Sequence, residues 1–121
     1  MELEMMGKLA KEASRTLNKL SKPMKNACLL TVAKNLIDNT EQILEANAKD
    51  IANGKTNNMP ESLIDRLQLT PERIEGIAEG VRQVAALEDP VGEVLSMKER
   101  PNGLMIGKKR VPLGVIGIIY E

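Results

Sequence analysis

The chain closes with PLGVIGIIYE, residues 112–121, in which apolar residues are almost continuous. The β-branched members of this segment are Val115, Ile116, Ile118 and Ile119. Such a pattern is typical of a strand that is buried on both faces of a parallel sheet, with helices above and below it. Parallel neighbours for this strand are reached only through crossover connections. We therefore expect an α/β protein in which residues 112–121 form the first core strand, and we expect this chain to be the front portion of a longer protein.

A β-hairpin is predicted immediately before this segment. Residues 93–100 and 104–111 are short arms with imperfect alternation of apolar and polar side chains, and they are joined by Pro101-Asn102-Gly103. Proline, asparagine and glycine are typical of the tight turns that connect antiparallel strands. The sequence therefore predicts a hairpin over residues 93–111.

Residues 1–92 are predicted to form a helical segment. On the first helix, apolar residues that are three or four positions apart form one stripe: Leu3, Met6, Ala10, Ala13, Leu17 and Leu20. The second helix is apolar nearly all round over residues 27–32, so we expect it to be the most buried. The stripe of the third helix consists of Ile43, Leu44, Asn47, Ala48 and Ile51. Asparagine and glycine residues between 53 and 58 predict its end.

Two further helices are predicted between residues 60 and 88. Pro60 opens a short helix that ends near Leu67. Thr70-Pro71-Glu72 then combines a capping hydroxyl, a proline at the first helical position and an acid in the first turn, which together are a strong start signal. The predicted buried face of this last helix is Ile74, Ile77, Val81 and Val84.

The composition excludes several classes of function. Its 17 basic residues balance 17 acidic ones, which gives no reason to expect nucleic acid or an anionic membrane as a partner. The chain has no histidine and one cysteine, Cys28, so it cannot by itself build a zinc site, a Ser-His-Asp triad or a Cys-His dyad. The apolar runs are too short to span a membrane and the N-terminus does not resemble a secretory signal, so we expect a cytoplasmic protein.

Several residues could carry chemistry, and each also has a structural explanation. Cys28 is the one candidate nucleophile by type, but its apolar neighbours favour a buried, inert thiol. Gly114 and Gly117 resemble part of a dinucleotide fingerprint, but they lie inside an apolar run without a following helix start, which favours close packing. Asn47 on an apolar stripe indicates a satisfied polar group that fixes a helix end or a loop.

Two features near the end of the chain have similar alternatives. Lys108-Lys109-Arg110 is basic, but without interleaved aromatic residues it favours a solvated hairpin arm over a nucleic-acid contact. Tyr120 closes the predicted core strand, and ligands of open α/β sheets bind at the carboxyl ends of strands. Packing remains the simpler explanation for Tyr120.

Three segments of the sequence resemble a known family. They are EANAKD at 45–50, RIEGIAEGVRQVAALEDPVGEV at 73–94 and RPNGLMIGKKRVPLGVIGIIYE at 100–121. Through them the chain resembles the N-terminal part of the gamma-glutamyl phosphate reductase family, also called glutamate-5-semialdehyde dehydrogenases, within the aldehyde dehydrogenase superfamily. The likeness covers essentially all 121 residues. It implies a helical layer, a hairpin and the first strand of a Rossmann-like, nucleotide-binding sheet.

The resemblance also implies an NADPH-dependent reductase of proline biosynthesis. In that family a cysteine thiolate displaces phosphate from gamma-glutamyl phosphate, and hydride from NADPH yields glutamate 5-semialdehyde. The family's nucleophile lies downstream of the matched segment, so neither a catalytic residue nor a metal ligand is expected here. Ile118, Ile119 and Tyr120 match the region that lines the cofactor cleft. The hairpin matches an arm that helps subunits associate, which implies a homo-oligomer.

Two functions are consistent with the sequence. The first is the N-terminal part of such a reductase, inactive by itself. The second is a non-catalytic helical interaction module whose apolar tail docks on a partner, because the helices could bury one another's stripes. The unpaired tail strand counts against the module, and the coding sequence beyond Glu121 would distinguish the two.

Overall fold

A computed structural model describes residues 2–119 of the chain. It contains five α-helices followed by one antiparallel pair of strands. The elements are α1 (Leu3–Leu17), α2 (Lys22–Asp38), α3 (Thr40–Thr56), α4 (Glu61–Leu67), α5 (Pro71–Ala86), β1 (Val94–Glu99) and β2 (Met105–Lys109). The chain divides into two compact units, one of them Pro23–Leu87 and the other combining the described residues up to Lys22 with those from Glu88 onward. The predicted order of helices and hairpin is confirmed.

The unit Pro23–Leu87 has a small apolar core in which α3 packs against α4 and α5. Its buried apolar residues are Ala33, Ile64, Ile74, Ala78 and Ala85. Burial of an isoleucine side chain contributes about 1.5–3 kcal/mol, whereas alanine contributes mainly by allowing close approach. The core therefore depends on two isoleucines, Ile64 and Ile74, and on small residues around them.

Helix α5 begins as predicted but buries a different face. The Thr70 hydroxyl accepts a hydrogen bond from the Arg73 backbone N–H at 3.2 Å, and Pro71 occupies the first turn. Ile74 is buried as expected, but Ile77 and Val84 are 49% and 54% exposed. Their predicted burial is wrong, because the inward face runs through Ala78 and Ala85, which let the helix approach its neighbours closely.

Helix α2 is not the most buried helix, contrary to the sequence prediction. Within Lys22–Asp38 the buried residue is Ala33, while Leu30 and Val32 are about half exposed. A helix that is apolar all round needs partners on every side, and one unit of four helices does not surround α2. The exposed Cys28 thiol follows from the same geometry, so the prediction of a buried cysteine is also wrong.

The asparagine on the α3 stripe is buried and fully engaged. The side-chain amide of Asn47 donates to the Leu67 carbonyl at 2.9 Å, and its Oδ1 accepts from the Leu69 N–H at 2.8 Å. Asn47 thereby satisfies two backbone groups where α4 ends. The prediction that it fixes a helix end or a loop is confirmed.

The end of α3 lies within the predicted stretch 53–58, although Gly54 still belongs to the helix. The helix continues to Thr56, and Asn58 after it adopts the left-handed conformation with φ 56°. Gly54 is buried, and a Cβ placed on it would lie 3.0 Å from Ile64 Cδ1 and 3.3 Å from Met59 Sδ. Glycine at this position therefore permits the close approach of α4 and of the chain that follows α3.

Helix α1 forms over the predicted region, but its apolar stripe is not covered. Within Leu3–Leu17 no residue is buried, and Leu3, Met6 and Leu17 are all at least half exposed. The amphipathic spacing thus predicts the helix correctly. It does not show which surface the stripe contacts.

The hairpin of β1 and β2 confirms the predicted arms and turn. Met97 pairs with Gly107 and Glu99 with Met105, and the register shifts between Val94 and Ser96 as in a β-bulge. Arg100 and Leu104 close the turn through the Arg100 N–H and the Leu104 carbonyl at 2.8 Å. Every residue of both strands is exposed.

The tail at 111–119 forms no helix or strand. Exposure rises from 51% at Val115 to 94% at Ile119. The strand predicted for residues 112–121 is therefore not formed by its described part, 112–119. A strand exists only through pairing, and no segment of the described chain pairs with these residues.

Candidate functional site

Two of the residues expected at the cofactor cleft lie on the surface of the described tail. Ile118 is 66% exposed and Ile119 is almost fully exposed at the end of the described tail. Tyr120, the third predicted residue, lies outside the described residues. Over residues 113–119 the structure shows exposed apolar side chains on irregular backbone.

The two glycines of the tail do not show the predicted close packing. A Cβ placed on Gly114 or Gly117 would have no neighbouring atom within 4 Å. Gly114 has φ +95°, a conformation that glycine adopts without strain, so this position has a backbone reason for its residue. No helix follows these glycines in the described residues, so they do not form a dinucleotide turn there.

A depression of about 300 Å³ lies next to the start of the tail. Its lining residues are Pro90, Val91, Arg110, Val111 and Leu113. The Arg110 guanidinium donates from Nε to a Glu93 carboxylate oxygen at 2.7 Å, across the base of the hairpin. This pairing fits the predicted solvated hairpin arm and leaves the depression mainly apolar.

A larger, open groove of about 600 Å³ lies at the corner between α2 and α3. It is lined by residues 37–42 together with Leu44 and Pro71. The Thr40 hydroxyl donates to the Ile37 carbonyl at 2.8 Å, and the Asn39 amide donates to the Asn35 carbonyl at 2.8 Å. These side chains satisfy the end of α2 and do not point to a ligand. Sequence reasoning did not identify the groove, although Asn39-Thr40 between two helical patterns is a signal for such a corner.

The charge of this groove disfavours a phosphate-bearing ligand. Its lining includes the Glu41 carboxylate, the Asp38 carboxylate, which is paired with Lys34 one turn earlier on α2, and no basic side chain. The nearby start of α5 is also occupied by an acid: hydrogen bonding to the Glu72 backbone N–H, and secondarily to Thr70, lowers the pKa of the Glu72 carboxyl. Because Glu72 already interacts with the positive end of the helix, a second anion gains little there.

Arg73 stabilises the α4–α5 corner and was missed at the sequence level. Its guanidinium donates to the carbonyls of Asp65 and Gln68, the latter at 2.6 Å, and also contacts the Asp65 carboxylate at 3.2 Å. Together with Asn47 it satisfies the backbone where α4 ends. This polar cluster is structural, because each of its groups is already paired within the protein.

The described residues hold no cluster that could bind a metal. Over residues 2–119 there is no group of three or more histidine, cysteine, aspartate or glutamate side chains arranged as ligands. Cys28 is exposed on α2. No helix in the described part of the chain has the length and apolar character needed to cross a membrane.

Relatives with assigned names match the chain over nearly its whole length. No family profile matches it. The gamma-glutamyl phosphate reductase of Caldanaerobacter subterraneus subsp. tengcongensis is 50% identical over 121 residues, which is all of this chain and 29% of the relative. The enzyme of the same name from Lachnospira eligens is 56% identical over 119 residues, which is 98% of this chain and 29% of the relative. The chain thus spans less than a third of the length of these relatives.

Solved structures give the same correspondence. The crystal structure of gamma-glutamyl phosphate reductase from Thermotoga maritima matches with a TM-score of 0.87 and 36% identity, over 93% of this chain and 27% of that one. The structure of the Saccharomyces cerevisiae enzyme matches with a TM-score of 0.79 and 33% identity, over 85% of this chain and 26% of that one. The predicted α/β class is therefore confirmed, and the chain resembles the N-terminal part of gamma-glutamyl phosphate reductases in both sequence and fold.

Proposed function

We propose that this chain is the N-terminal part of an NADPH-dependent reductase that converts gamma-glutamyl phosphate to glutamate 5-semialdehyde, with release of phosphate, in proline biosynthesis. The observation that supports the proposal most strongly is the 50% identity over all 121 residues to a relative of that name. The fold match to the Thermotoga maritima enzyme supports it independently of residue identity.

The chain by itself is proposed to be inactive. Its described residues present an open acidic groove, an apolar depression and an exposed thiol, and these features do not orient an acyl phosphate against a nucleophile. Orientation of reacting groups supplies much of catalysis. The nucleophile and most of the nucleotide site are accordingly proposed to belong to the rest of a longer cytoplasmic protein.

The chain's own contribution is proposed to lie in its tail and its hairpin. Ile118, Ile119 and Tyr120 are proposed to contact the cofactor through backbone and apolar surface once neighbouring strands pair with them. The hairpin is proposed to mediate association of subunits into a homo-oligomer. Apolar side chains exposed along both arms support this role, among them Leu95, Met97, Met105 and Ile106.

A chimera tests the proposed reductase. Residues 1–121 replace the matched segment of the Caldanaerobacter subterraneus enzyme, and NADP⁺ reduction by glutamate 5-semialdehyde and phosphate is measured. We expect activity in the chimera and none in the host lacking the segment or in the isolated chain. The proposal would be contradicted if the chimera folded and had the same oligomeric state as the host enzyme but showed no activity. Comparison with NAD⁺ tests the cofactor preference.

The interaction module remains the alternative, because the stripe of α1 and the tail are both exposed. The module and the reductase predict different experimental results. The module predicts that the isolated chain performs its role without any further segment, and that the chimera has no turnover.

A further inference from the structure

Asn-Gly pairs are the sites at which asparagine most readily loses its amide, and the chain contains two of them: Asn53-Gly54 and Asn102-Gly103. The glycine backbone nitrogen attacks the asparagine side-chain carbonyl carbon, since glycine has no Cβ that hinders the approach. A new N–C bond closes a five-membered succinimide, and the side-chain nitrogen leaves as ammonia. Water then opens the ring to aspartate or isoaspartate. The local backbone decides whether this attack is possible.

The pair Asn102-Gly103 lies in the exposed turn of the hairpin. Gly103 has φ +83°, and its N–H donates to the Arg100 carbonyl at 2.8 Å. This bond and the Arg100 N–H bond to the Leu104 carbonyl close a solvent-exposed turn, so local opening frees the nitrogen at little cost compared with unfolding of a core helix. The attacking nitrogen therefore becomes available through local opening of the turn.

The asparagine side chain of this turn also accepts a hydrogen bond from the backbone that follows it. The Leu104 N–H donates to Asn102 Oδ1 at 3.3 Å, which folds the side chain back over the following peptide. That donor lies at the oxygen that gains negative charge when the nitrogen attacks the amide carbon. Hydrogen bonding to such an oxygen stabilises the charge that develops.

The pair Asn53-Gly54 has the same sequence in a protected setting. Gly54 is buried inside α3, and its carbonyl accepts from the Met59 N–H at 3.0 Å. Ile64 Cδ1 and Met59 Sδ pack directly over its Cα. Closure of a ring here requires that α3 open and that α4 move away. The chain thus contains its own matched control.

We propose that Asn102 is a site of spontaneous deamidation, whereas Asn53 is protected by helix α3. The product adds a carboxylate next to Arg100 in the hairpin turn. Where the ring opens to isoaspartate, the backbone gains one carbon between residues 102 and 103, and the turn can no longer keep its geometry. The inference does not depend on the proposed reductase.

The test compares the two pairs in the folded and the unfolded chain. The purified protein is incubated in mildly alkaline buffer, with and without guanidinium chloride, and both peptides are followed by mass spectrometry with separation of aspartate from isoaspartate. In the native chain we expect Asn102 to react at least about tenfold faster than Asn53, because only Asn53 requires opening of the core. In denaturant we expect the two rates to converge.

Two variants sharpen the test. Asn102→Gln removes the reactive pair of the turn and is expected to abolish isoaspartate formation in the native chain, while Asn53→Gln leaves it unchanged. The proposal would be overturned if Asn102 kept its amide in native buffer while the same incubation in denaturant converted it. Equal rates at the two pairs in a chain with native circular dichroism would overturn it as well.

Discussion

At the residue scale, Asn47 illustrates how one polar side chain stabilises a small core. It is the buried polar residue of the described chain, and both ends of its amide bind the backbone where α4 ends. A buried backbone group without a partner costs about 1–3 kcal/mol. Asn47 removes that cost at two positions, the Leu67 carbonyl and the Leu69 N–H.

Substitution of Asn47→Ala is expected to lower the free energy of unfolding by about 2–4 kcal/mol, because two backbone groups lose their partners. The matched control is Asn53→Ala on the same helix, whose exposed side chain makes no such contact, and alanine there should be neutral or slightly stabilising. Chemical denaturation followed by circular dichroism measures both variants. Equal stability of the two variants would show that the Asn47 bonds are not needed.

At the element scale, two glycines within helices distinguish the effect of side-chain packing on stability from the effect of helix propensity. A Cβ on Gly54 would lie 3.0 Å from Ile64 Cδ1, whereas a Cβ on Gly76 in α5 would have no neighbour within 4 Å. We expect Gly76→Ala to stabilise the protein by about 0.5–1 kcal/mol, since alanine is the better helix former. Gly54→Ala should instead destabilise it by about 1 kcal/mol, because overpacking exceeds the same gain. Thermal unfolding measures both changes, and stabilisation by Gly54→Ala would contradict the proposed close approach.

The same elements show how far sequence patterns determine structure. Start signals are local, so Thr70-Pro71 and the turn at Pro101-Asn102-Gly103 could be predicted correctly. The inward face of α5 could not, because Ile77 and Ala78 both fit a helical spacing and the choice depends on the neighbouring helix. The sequence pattern likewise placed Gly54 at the end of α3, because the contact with Ile64 that explains a glycine inside the helix is visible only in the packed structure.

At the scale of the whole molecule, the sequence indicates which surfaces are apolar but not what covers them. Local apolar patterning identifies α1, α2 and the tail as surfaces that are suited to burial, yet all three remain largely exposed in the described residues. Burial depends on partner surfaces that lie elsewhere in sequence, and no local pattern specifies them. The named relatives are more than three times as long as this chain, so most of their sequence has no counterpart in it.

The exposed tail gives the most direct prediction at this scale. Apolar, β-branched segments with unpaired backbone groups associate with other chains, and Val115, Ile116, Ile118 and Ile119 are all at least half exposed. We therefore expect the chain to self-associate, and we expect deletion of residues 112–121 to reduce association without changing the helical circular dichroism signal. Sedimentation velocity over a range of concentrations measures the association.

A second variant distinguishes the apolar character of the tail from its length. The double substitution Ile116→Lys and Ile118→Lys preserves the length of the tail but places two positive charges on it. It should reduce association as deletion does, because charged side chains oppose pairing of exposed strands. Hydrogen exchange reports on the backbone itself. If the unmodified chain were monomeric, with residues 115–119 protected as strongly as α3 and α5, the tail would have to pair within the chain. The expected need for neighbouring strands would then be wrong, and the case for a longer enzyme would depend on similarity alone.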